Sequence, residues 1–409
     1  MSWAGAHQID IKQYRSRRGY RRAAHFSSMN HTQPLMNYAQ PLSTAAALIC
    51  FSHLRWHFVF QRPQHLMARF AREHRVMFVE EAVATDAPEP WLESHTVEGG
   101  IQIVVPRMPG SLAGPEGDAA QRALLDRMFE AEGIRQPILY YFTPLALKFS
   151  DHVDASLVVY DCMDELSAFS GAPPEMVGLE RALLARANLV FTGGVSLFEV
   201  KRHLHPNVHA FPSSVDVAHF ARARSLRSDP EDQAPIRRPR LGFYGVIDER
   251  LDIELIDAVA AMRPEWQLVM LGPVVKIDPA VLPGRSNIQW LGPKLYEELP
   301  LYLAGWDVAL LPFARNESTR FISPTKTPEY LAAGRPVVST PITDVVRSYG
   351  EAGLTRIAET PEDFVVQCEA ALREARQPAG FLARVDRALG QMSWDSTYAR
   401  MRELMRCAA

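Results

Sequence analysis

The sequence has few cysteines and no long apolar run. Its 409 residues include four cysteines, at Cys50, Cys162, Cys368 and Cys407. None of them forms a Cys-x-x-Cys pair or a Cys/His spacing that could hold zinc, so we expect reduced thiols in a cytosolic protein. No apolar run reaches the roughly 20 residues that a membrane-spanning helix needs. We therefore expect a soluble or peripheral protein.

An excess of charge of one sign is also absent. The chain has 44 Lys and Arg against 47 Asp and Glu, which disfavours nucleic acid or another polyanion as the main partner. Basic residues do concentrate near the N-terminus, and we interpret residues 1–43 as a flexible tail. Its arginines could attract anionic lipid headgroups, each charge contributing about 1 kcal/mol near a membrane surface. A solvated tail without a partner, or a translation start at Met36, explains the same pattern.

The rest of the chain alternates short apolar, β-branched runs with helical periodicity, which is typical of βαβ units and parallel sheets. We predict an α/β protein with two Rossmann-like domains, at residues 44–222 and 240–385, joined by a polar, proline-bearing linker at residues 223–239. Parallel sheets bind ligands beyond the carboxyl ends of their strands, so the domains should face a central cleft. The predicted strands are residues 46–52, 75–80, 101–105, 137–142, 157–161, 189–192, 208–211, 240–244, 266–271, 288–291, 308–313, 336–340 and 354–357.

The most informative stretch is residues 321–340, with the sequence FISPTKTPEYLAAGRPVVST. It predicts a loop, a helix started by Pro328, a glycine stop and a buried strand. Such a helix start attracts an anion, and the predicted donors are the backbone amides of Ser323, Thr325 and Lys326. The Lys326 ammonium adds a full charge, and Glu329 could accept two ribose hydroxyls. A surface pair of Lys326 and Glu329 at i, i+3 is the alternative.

This stretch resembles the nucleotide-binding signature of GT-B glycosyltransferases, especially the large retaining family typified by sucrose and glycogen synthases. In that signature an acidic residue precedes a small-residue-Gly-x-Pro-Val-Val run and binds the ribose. The resemblance implies that Glu329 binds ribose hydroxyls and that Lys326 and the preceding amides bind the diphosphate. The family often has a further glutamate eight positions earlier, and here Phe321 stands at that position.

Two further segments resemble parts of the same enzymes. Residues 242–250, with the sequence GFYGVIDER, resemble the phosphate-side loop. This implies that Gly245 allows close backbone approach and that Arg250 reaches the leaving diphosphate. Arg250 could instead pair with acidic residues at the start of its own helix, Asp252 or Glu254. Residues 386–409 resemble the terminal helix that crosses back to the first domain.

In the first half, residues 51–67 and 159–166 resemble bacterial glycosyltransferases of cell-surface polysaccharide assembly, such as the teichuronic acid transferase group. The resemblance implies that four residues face the acceptor and the donor phosphate, namely His53, Arg62, Asp161 and Asp164. It also implies acceptor binding by Arg55, Trp56 and Arg62. The alternatives are that the two aspartates cap the next helix, that the histidine packs in the core and that the tryptophan anchors a loop.

These resemblances imply transfer of a hexose from a nucleotide diphosphate sugar, with UDP favoured, to a glycan or lipid-linked acceptor in the cell envelope. The sequence contains no Asp-x-Asp pair for a divalent cation, so we predict no metal and no cofactor; Arg250 and Lys326 would meet the leaving-group charge. In a retaining reaction the diphosphate can take the acceptor proton, whereas an inverting one would need Asp161 or Asp164 as the base. The other candidates are a non-hydrolysing UDP-sugar epimerase and a catalytically silent nucleotide-sugar-binding protein.

Overall fold

The structure is a computed structural model that describes residues 46–409. The predicted basic tail at residues 1–43 lies outside the described residues. Two parallel sheets with helices on their faces account for the described chain, which confirms the predicted α/β architecture. Within residues 46–409, no helix is both long enough and apolar enough to cross a bilayer.

The first sheet has nine strands. They are β1 (Leu48–Ser52), β2 (Val76–Glu80), β3 (Val83–Thr85), β4 (Trp91–Thr96), β5 (Gln102–Pro109), β6 (Ile138–Tyr141), β7 (Leu157–Cys162), β8 (Leu189–Thr192) and β9 (Val208–Ala210). The order is β3-β5-β2-β1-β6-β7-β8-β9, and β4 pairs antiparallel with β5. The seven strands predicted here are all present. The prediction lacks β3, which is very short, and β4, whose side chains are mostly exposed, because neither carries the apolar pattern of a buried strand.

Helices cover both faces of the first sheet. They are α1 (Arg62–Phe70), α2 (Gly114–Ala131), α3 (Leu147–Ser150), α4 (Met176–Arg186) and α5 (Val195–Lys201). Helix α1 packs on one face, whereas α2 and α4 pack on the other. Strand β1 is therefore buried along its whole length, which explains its continuous apolar sequence.

The second sheet has six parallel strands in the order β12-β11-β10-β13-β14-β15. They are β10 (Arg240–Tyr244), β11 (Gln267–Leu271), β12 (Ile288–Gly292), β13 (Val308–Leu311), β14 (Val337–Ser339) and β15 (Thr355–Ile357), which confirms all six predicted strands. The helices are α6 (Val217–Ala221), α7 (Ile253–Met262), α8 (Leu299–Ala304), α9 (Lys326–Ala332), α10 (Thr343–Val345), α11 (Pro361–Ala375) and α12 (Ala379–Leu389). Only glycine fits at position 242 of β10, because a Cβ there would lie 2.1 Å from the Trp306 ring.

The chain crosses to the second domain before the predicted linker at residues 223–239. Helix α6 already packs in the second core through Phe220, which is fully buried. Part of the predicted linker packs on the same domain. The amide of the fully buried Gln233 donates to the Tyr302 carbonyl at 3.1 Å and accepts from the Trp306 indole at 2.9 Å. The polar composition of residues 223–239 does not predict this contact. It depends on a single glutamine that provides hydrogen-bond partners for buried polar groups.

The last helix, α13 (Trp394–Ala408), lies against the first domain. Its Trp394 ring stacks on His65 of α1, with ring centroids 4.5 Å apart and planes 12° apart. Next to it, Asp395 accepts hydrogen bonds from Arg69 at 3.1 and 3.0 Å and from Arg72 at 2.9 Å. The chain therefore passes between the domains twice, once after β9 and once before α13.

We expect Trp394→Ala to lower the free energy of unfolding by about 3–5 kcal/mol, because the indole is fully packed between α13 and α1. Trp91→Ala is the matched control, since Trp91 is 41% exposed on β4 whereas Trp394 is 1% exposed. The control should change stability by less than about 1 kcal/mol. Urea unfolding followed by circular dichroism measures both, and equal losses would contradict this packing.

Candidate active site

The carboxyl ends of the two sheets meet at one cleft. The loop after β7 supplies Asp164 and Phe169 from the first domain, and the loops after β10 and β11 supply Arg250 and Lys276 from the second. The Phe169 ring centroid lies 5.2 Å from the Arg250 guanidinium carbon and 5.2 Å from Lys276 Nζ. Parallel sheets place ligand-binding loops at these ends, so this cleft is the candidate site.

Lys326 and Gly245 come from separate segments of the sequence and lie together. Helix α9 begins at Lys326, ahead of the predicted start at Pro328. Gly245 has a φ of 148°, which glycine adopts without strain. A Cβ there would lie 2.1 Å from Lys326 Cε and 2.7 Å from Nζ, so the ammonium lies over the Gly245 backbone. Burial lowers the pKa of Lys326, and the nearby Glu329 carboxylate opposes that shift.

Glu329 is a buried carboxylate, with 7% of its surface exposed. It accepts a hydrogen bond of 2.5 Å from the Tyr244 hydroxyl, and the Tyr330 hydroxyl accepts one of 2.9 Å from the Tyr244 amide. Burial raises the pKa of Glu329 to about 7, against the opposing effects of Tyr244 and Lys326. An exposed surface pair of Lys326 and Glu329 is therefore not what the structure shows.

Arg250 is held by Asp248, which the sequence analysis does not single out. The Arg250 Nε donates to both carboxylate oxygens at 3.0 and 3.1 Å, and Nη2 donates to Oδ2 at 2.7 Å. The alternative partner Asp252 instead caps α7 by accepting from the Leu255 amide at 2.8 Å. The Arg250 side chain remains 24% exposed while Asp248 is 3% exposed. The guanidinium is thus fixed on one side and accessible on another.

Asp164 lies opposite the cations of the second domain. Burial raises its pKa to about 6, and the charges of Arg250, Lys326 and Arg62 oppose this rise. Asp164 does not cap the next α-helix, because α4 begins only at Met176. The structure therefore brings Asp164 together with the two predicted diphosphate ligands.

Asp161 and Arg62 do not line the cleft, which corrects their predicted roles. Asp161 is 0% exposed and Arg62 is 1% exposed, and they form an ion pair with 2.9 Å between Arg62 Nη2 and Asp161 Oδ1. The Asp161 carboxylate also accepts from the Tyr140 hydroxyl at 2.7 Å, while Arg62 Nη1 donates to the Phe211 carbonyl at 2.7 Å. Both charges are paired and buried inside the first domain, so neither is available to an acceptor. The pair braces α1 against β7.

His53, Arg55 and Trp56 follow β1. His53 is 6% exposed. The Arg55 guanidinium pairs with Glu80 at 2.8 Å, and the Trp56 amide donates to the same carboxylate at 2.8 Å. The Trp56 ring packs edge-on against Phe78, with centroids 5.1 Å apart, which agrees with the alternative of a loop anchor. Glu80, at the end of β2, is thus the residue that fixes this loop.

A contact that the sequence analysis misses joins the two domains beside the predicted amide donors. The Asp344 carboxylate accepts from the Val195 amide at 2.9 Å and from the Ser196 amide at 3.0 Å. A Cβ on Gly194 would lie 2.1 Å from the Asp344 carboxylate and 3.0 Å from Ser323 Cβ, so only glycine permits this approach. Ser323 therefore lies against the first domain. No local sequence signal identifies a partner in another domain.

Thr325, the remaining predicted amide donor, and Phe321, which stands where the family often has a glutamate, complete the predicted stretch. Thr325 precedes α9 and makes no side-chain cap. Phe321 packs partly buried against the first domain's core, with the Arg320 guanidinium carbon 5.0 Å from its ring centroid. Within the part of the chain that the structure describes, no group of three or more His, Cys, Asp or Glu side chains could hold a metal ion.

Known proteins share parts of this sequence. Residues 238–374 match the family model of glycosyl transferases group 1. The chain is 26% identical over 300 residues to Bacillus subtilis TuaH, assigned as a teichuronic acid biosynthesis glycosyltransferase, covering 68% of this chain and 70% of TuaH.

Solved structures share the fold at low identity. Sucrose-phosphate synthase from Thermosynechococcus elongatus matches with a TM-score of 0.69 at 14% identity, covering 89% of this chain and 99% of that one. Anabaena HepE, solved in complex with UDP and glucose, matches with a TM-score of 0.64 at 12% identity, covering 88% and 100%. The chain thus has the GT-B fold, and its second domain carries the match to glycosyl transferases group 1.

Proposed function

We propose that this protein transfers a hexose from a UDP-sugar to a hydroxyl of a glycan or lipid-linked acceptor in cell-surface polysaccharide synthesis. The observation that carries the proposal is the position of the Lys326 ammonium over the Gly245 backbone, with Arg250 and Glu329 nearby. Two cations and a close-approach glycine suit a diphosphate, and a carboxylate beside them suits ribose hydroxyls. The relatives add support, because TuaH is assigned to teichuronic acid synthesis and HepE was solved with UDP.

The reaction that we propose is metal-independent and retaining. The bond between the anomeric carbon and the diphosphate oxygen breaks as the acceptor oxygen bonds to the same face of that carbon. The acceptor proton passes to the departing diphosphate, and Arg250 and Lys326 stabilise the negative charge that develops there. No separate base is needed in this scheme. The protein contributes by positioning the two substrates and by supplying positive charge near the departing diphosphate.

The first domain would present the acceptor. Asp164 and His53 lie at the carboxyl ends of β7 and β1, and Arg55 is fixed beside them by Glu80. We assign Asp164 and His53 to orienting the acceptor hydroxyl and Arg55 to binding the rest of the acceptor. Contact between the domains would exclude water, which would otherwise hydrolyse the donor. We place the reaction in the cytoplasm, on the cytoplasmic face of the membrane where the acceptor is lipid-linked.

We expect Lys326→Ala to weaken UDP binding on the order of 100-fold, because a charge-assisted contact with the diphosphate is lost. In a thermal-shift assay, UDP at 100 times its dissociation constant should stabilise the parent protein by about 2.7 kcal/mol. The variant should show almost no shift at the same concentration. Lys148→Ala, a surface lysine of the first domain that is 31% exposed, is the control and should keep the full shift. Equal UDP affinity in Lys326→Ala and the parent would refute the assignment.

We expect uridine affinity to fall about tenfold between pH 8 and pH 5.5, because the pKa of Glu329 is raised to about 7. Ribose hydroxyls donate best to an ionised carboxylate, so binding is strong above that pKa and weakens as pH falls through it. Uridine carries no phosphate, which keeps the ligand's own titration out of the measurement. Calorimetric titration of Glu329→Gln should give a flat profile over this range. The same slope in both proteins would remove Glu329 from the ribose site.

A further inference from the structure

The loop between β7 and α4, residues 163–175, contacts the second domain through two different kinds of side chain. Asp164 lies near its start and interacts electrostatically with Arg250 and Lys326. Phe169 follows a short turn at Leu166–Ala168 and is half-buried. One loop of the first domain therefore meets the cations of the second domain with a carboxylate and with an aromatic ring.

The Phe169 ring is shared by two cations. The Arg250 guanidinium carbon and the Lys276 ammonium each lie 5.2 Å from its centroid. This is within the roughly 6 Å at which the ring's quadrupole attracts a cation. Both cations belong to the second domain and the ring to the first, so the contact exists only while the domains are together.

Arg250 is restrained differently on its other side. The Asp248 carboxylate of the same loop accepts from Arg250 Nε and Nη2. That bidentate pair is internal to the second domain and does not depend on how the domains are arranged. The pair fixes the Nε and Nη2 edge of the guanidinium, and Phe169 contacts the guanidinium from the opposite domain.

Lys276 lies under the ring with a backbone conformation that is unfavourable for a residue with a side chain. Its φ is 63°, a left-handed conformation that costs on the order of 1 kcal/mol for a residue with a side chain. Its ammonium lies 3.9 Å from Glu249. Both Glu249 carboxylate oxygens are shielded from solvent. The surroundings of the two cations are therefore partly shielded from water, which strengthens a cation–π contact.

We propose that Phe169 is a positioning residue that orients Arg250 toward the leaving diphosphate when the domains close. This rests on the proposed function. The ring lies against the guanidinium in this arrangement of the domains, and Asp248 and Phe169 together fix it between a carboxylate and an aromatic face. Catalysis by positioned charge is sensitive to such orientation, because a donor is effective only where charge develops. Phe169 itself touches no reacting atom.

The test compares Phe169→Leu, Phe169→Trp and Phe169→Ala with the parent protein in UDP binding and in steady-state transfer to a glycan acceptor. Leucine keeps the apolar contact and removes the ring quadrupole, whereas tryptophan keeps the quadrupole. We expect kcat to fall about tenfold in Phe169→Leu and Phe169→Ala, as a cation–π contact in a partly shielded site predicts. We expect Phe169→Trp to stay within about threefold of the parent in kcat and in UDP affinity. In the other two variants UDP affinity should fall less than kcat does, because Arg250 also contacts the diphosphate of bound UDP and is most effective where charge develops.

Phe129→Leu is the matched control, because Phe129 is half-buried in α2 on the first domain's core, away from the cleft. Its kcat should equal the parent's. Parent-like kcat in Phe169→Leu, or equal losses in Phe169→Leu and Phe169→Trp, would overturn the positioning role while leaving the proposed function intact. Failure of the parent protein to bind UDP would overturn the proposed function and this inference with it.

Discussion

The structure depends on keeping positive charge in a cleft that is partly shielded from water. Arg250, Lys276 and Lys326 converge there from two loops and the first turn of α9 in one domain. Removing each ion from water costs several kcal/mol unless other groups compensate. Asp248 supplies a bidentate partner and Asp164 faces the cations from the other domain. These carboxylates offset part of the cost of burying the cations. They do not supply the concentrated negative charge of a diphosphate, so the cleft meets the condition for a preorganised anion site.

Two glycines, one ion pair and one carboxylate that caps a helix place these groups. The carbonyl of Gly245 lies so close to Gly272 that a Cβ on Gly272 would be 1.7 Å away, which packs the loops after β10 and β11 together under Lys326. The buried pair of Arg62 and Asp161 holds α1 on β7 and so sets the direction of the loop that carries Asp164. Across the cleft, Asp344 caps α5 and holds the domains together. The cleft is therefore shaped by packing, ion-pair and capping contacts within the protein.

The fold could be predicted from the sequence because buried parallel strands are continuous apolar runs, and every one of the predicted strands is present. The pattern at residues 321–340 likewise indicated Lys326 and Glu329. The position of each aspartate relative to the strand end decided which one reaches the cleft, and the sequence pattern did not show this. Asp161 lies inside β7 and is buried with Arg62, whereas Asp164 lies beyond the strand end and reaches the cleft, although both stand in one short acidic segment. Phe169 and Asp344 could not be found, since their partners lie in the other domain and no local spacing reveals them.

A crystal structure of the protein with UDP tests the central claim most directly, which is that the cleft's cations were placed for a pyrophosphate. The account predicts diphosphate oxygens within hydrogen-bond distance, about 2.7–3.2 Å, of Lys326 Nζ and the Arg250 guanidinium, with the ribose hydroxyls on Glu329. UDP bound at any other place, or a diphosphate that leaves both cations paired only with Asp248 and Asp164, would contradict it.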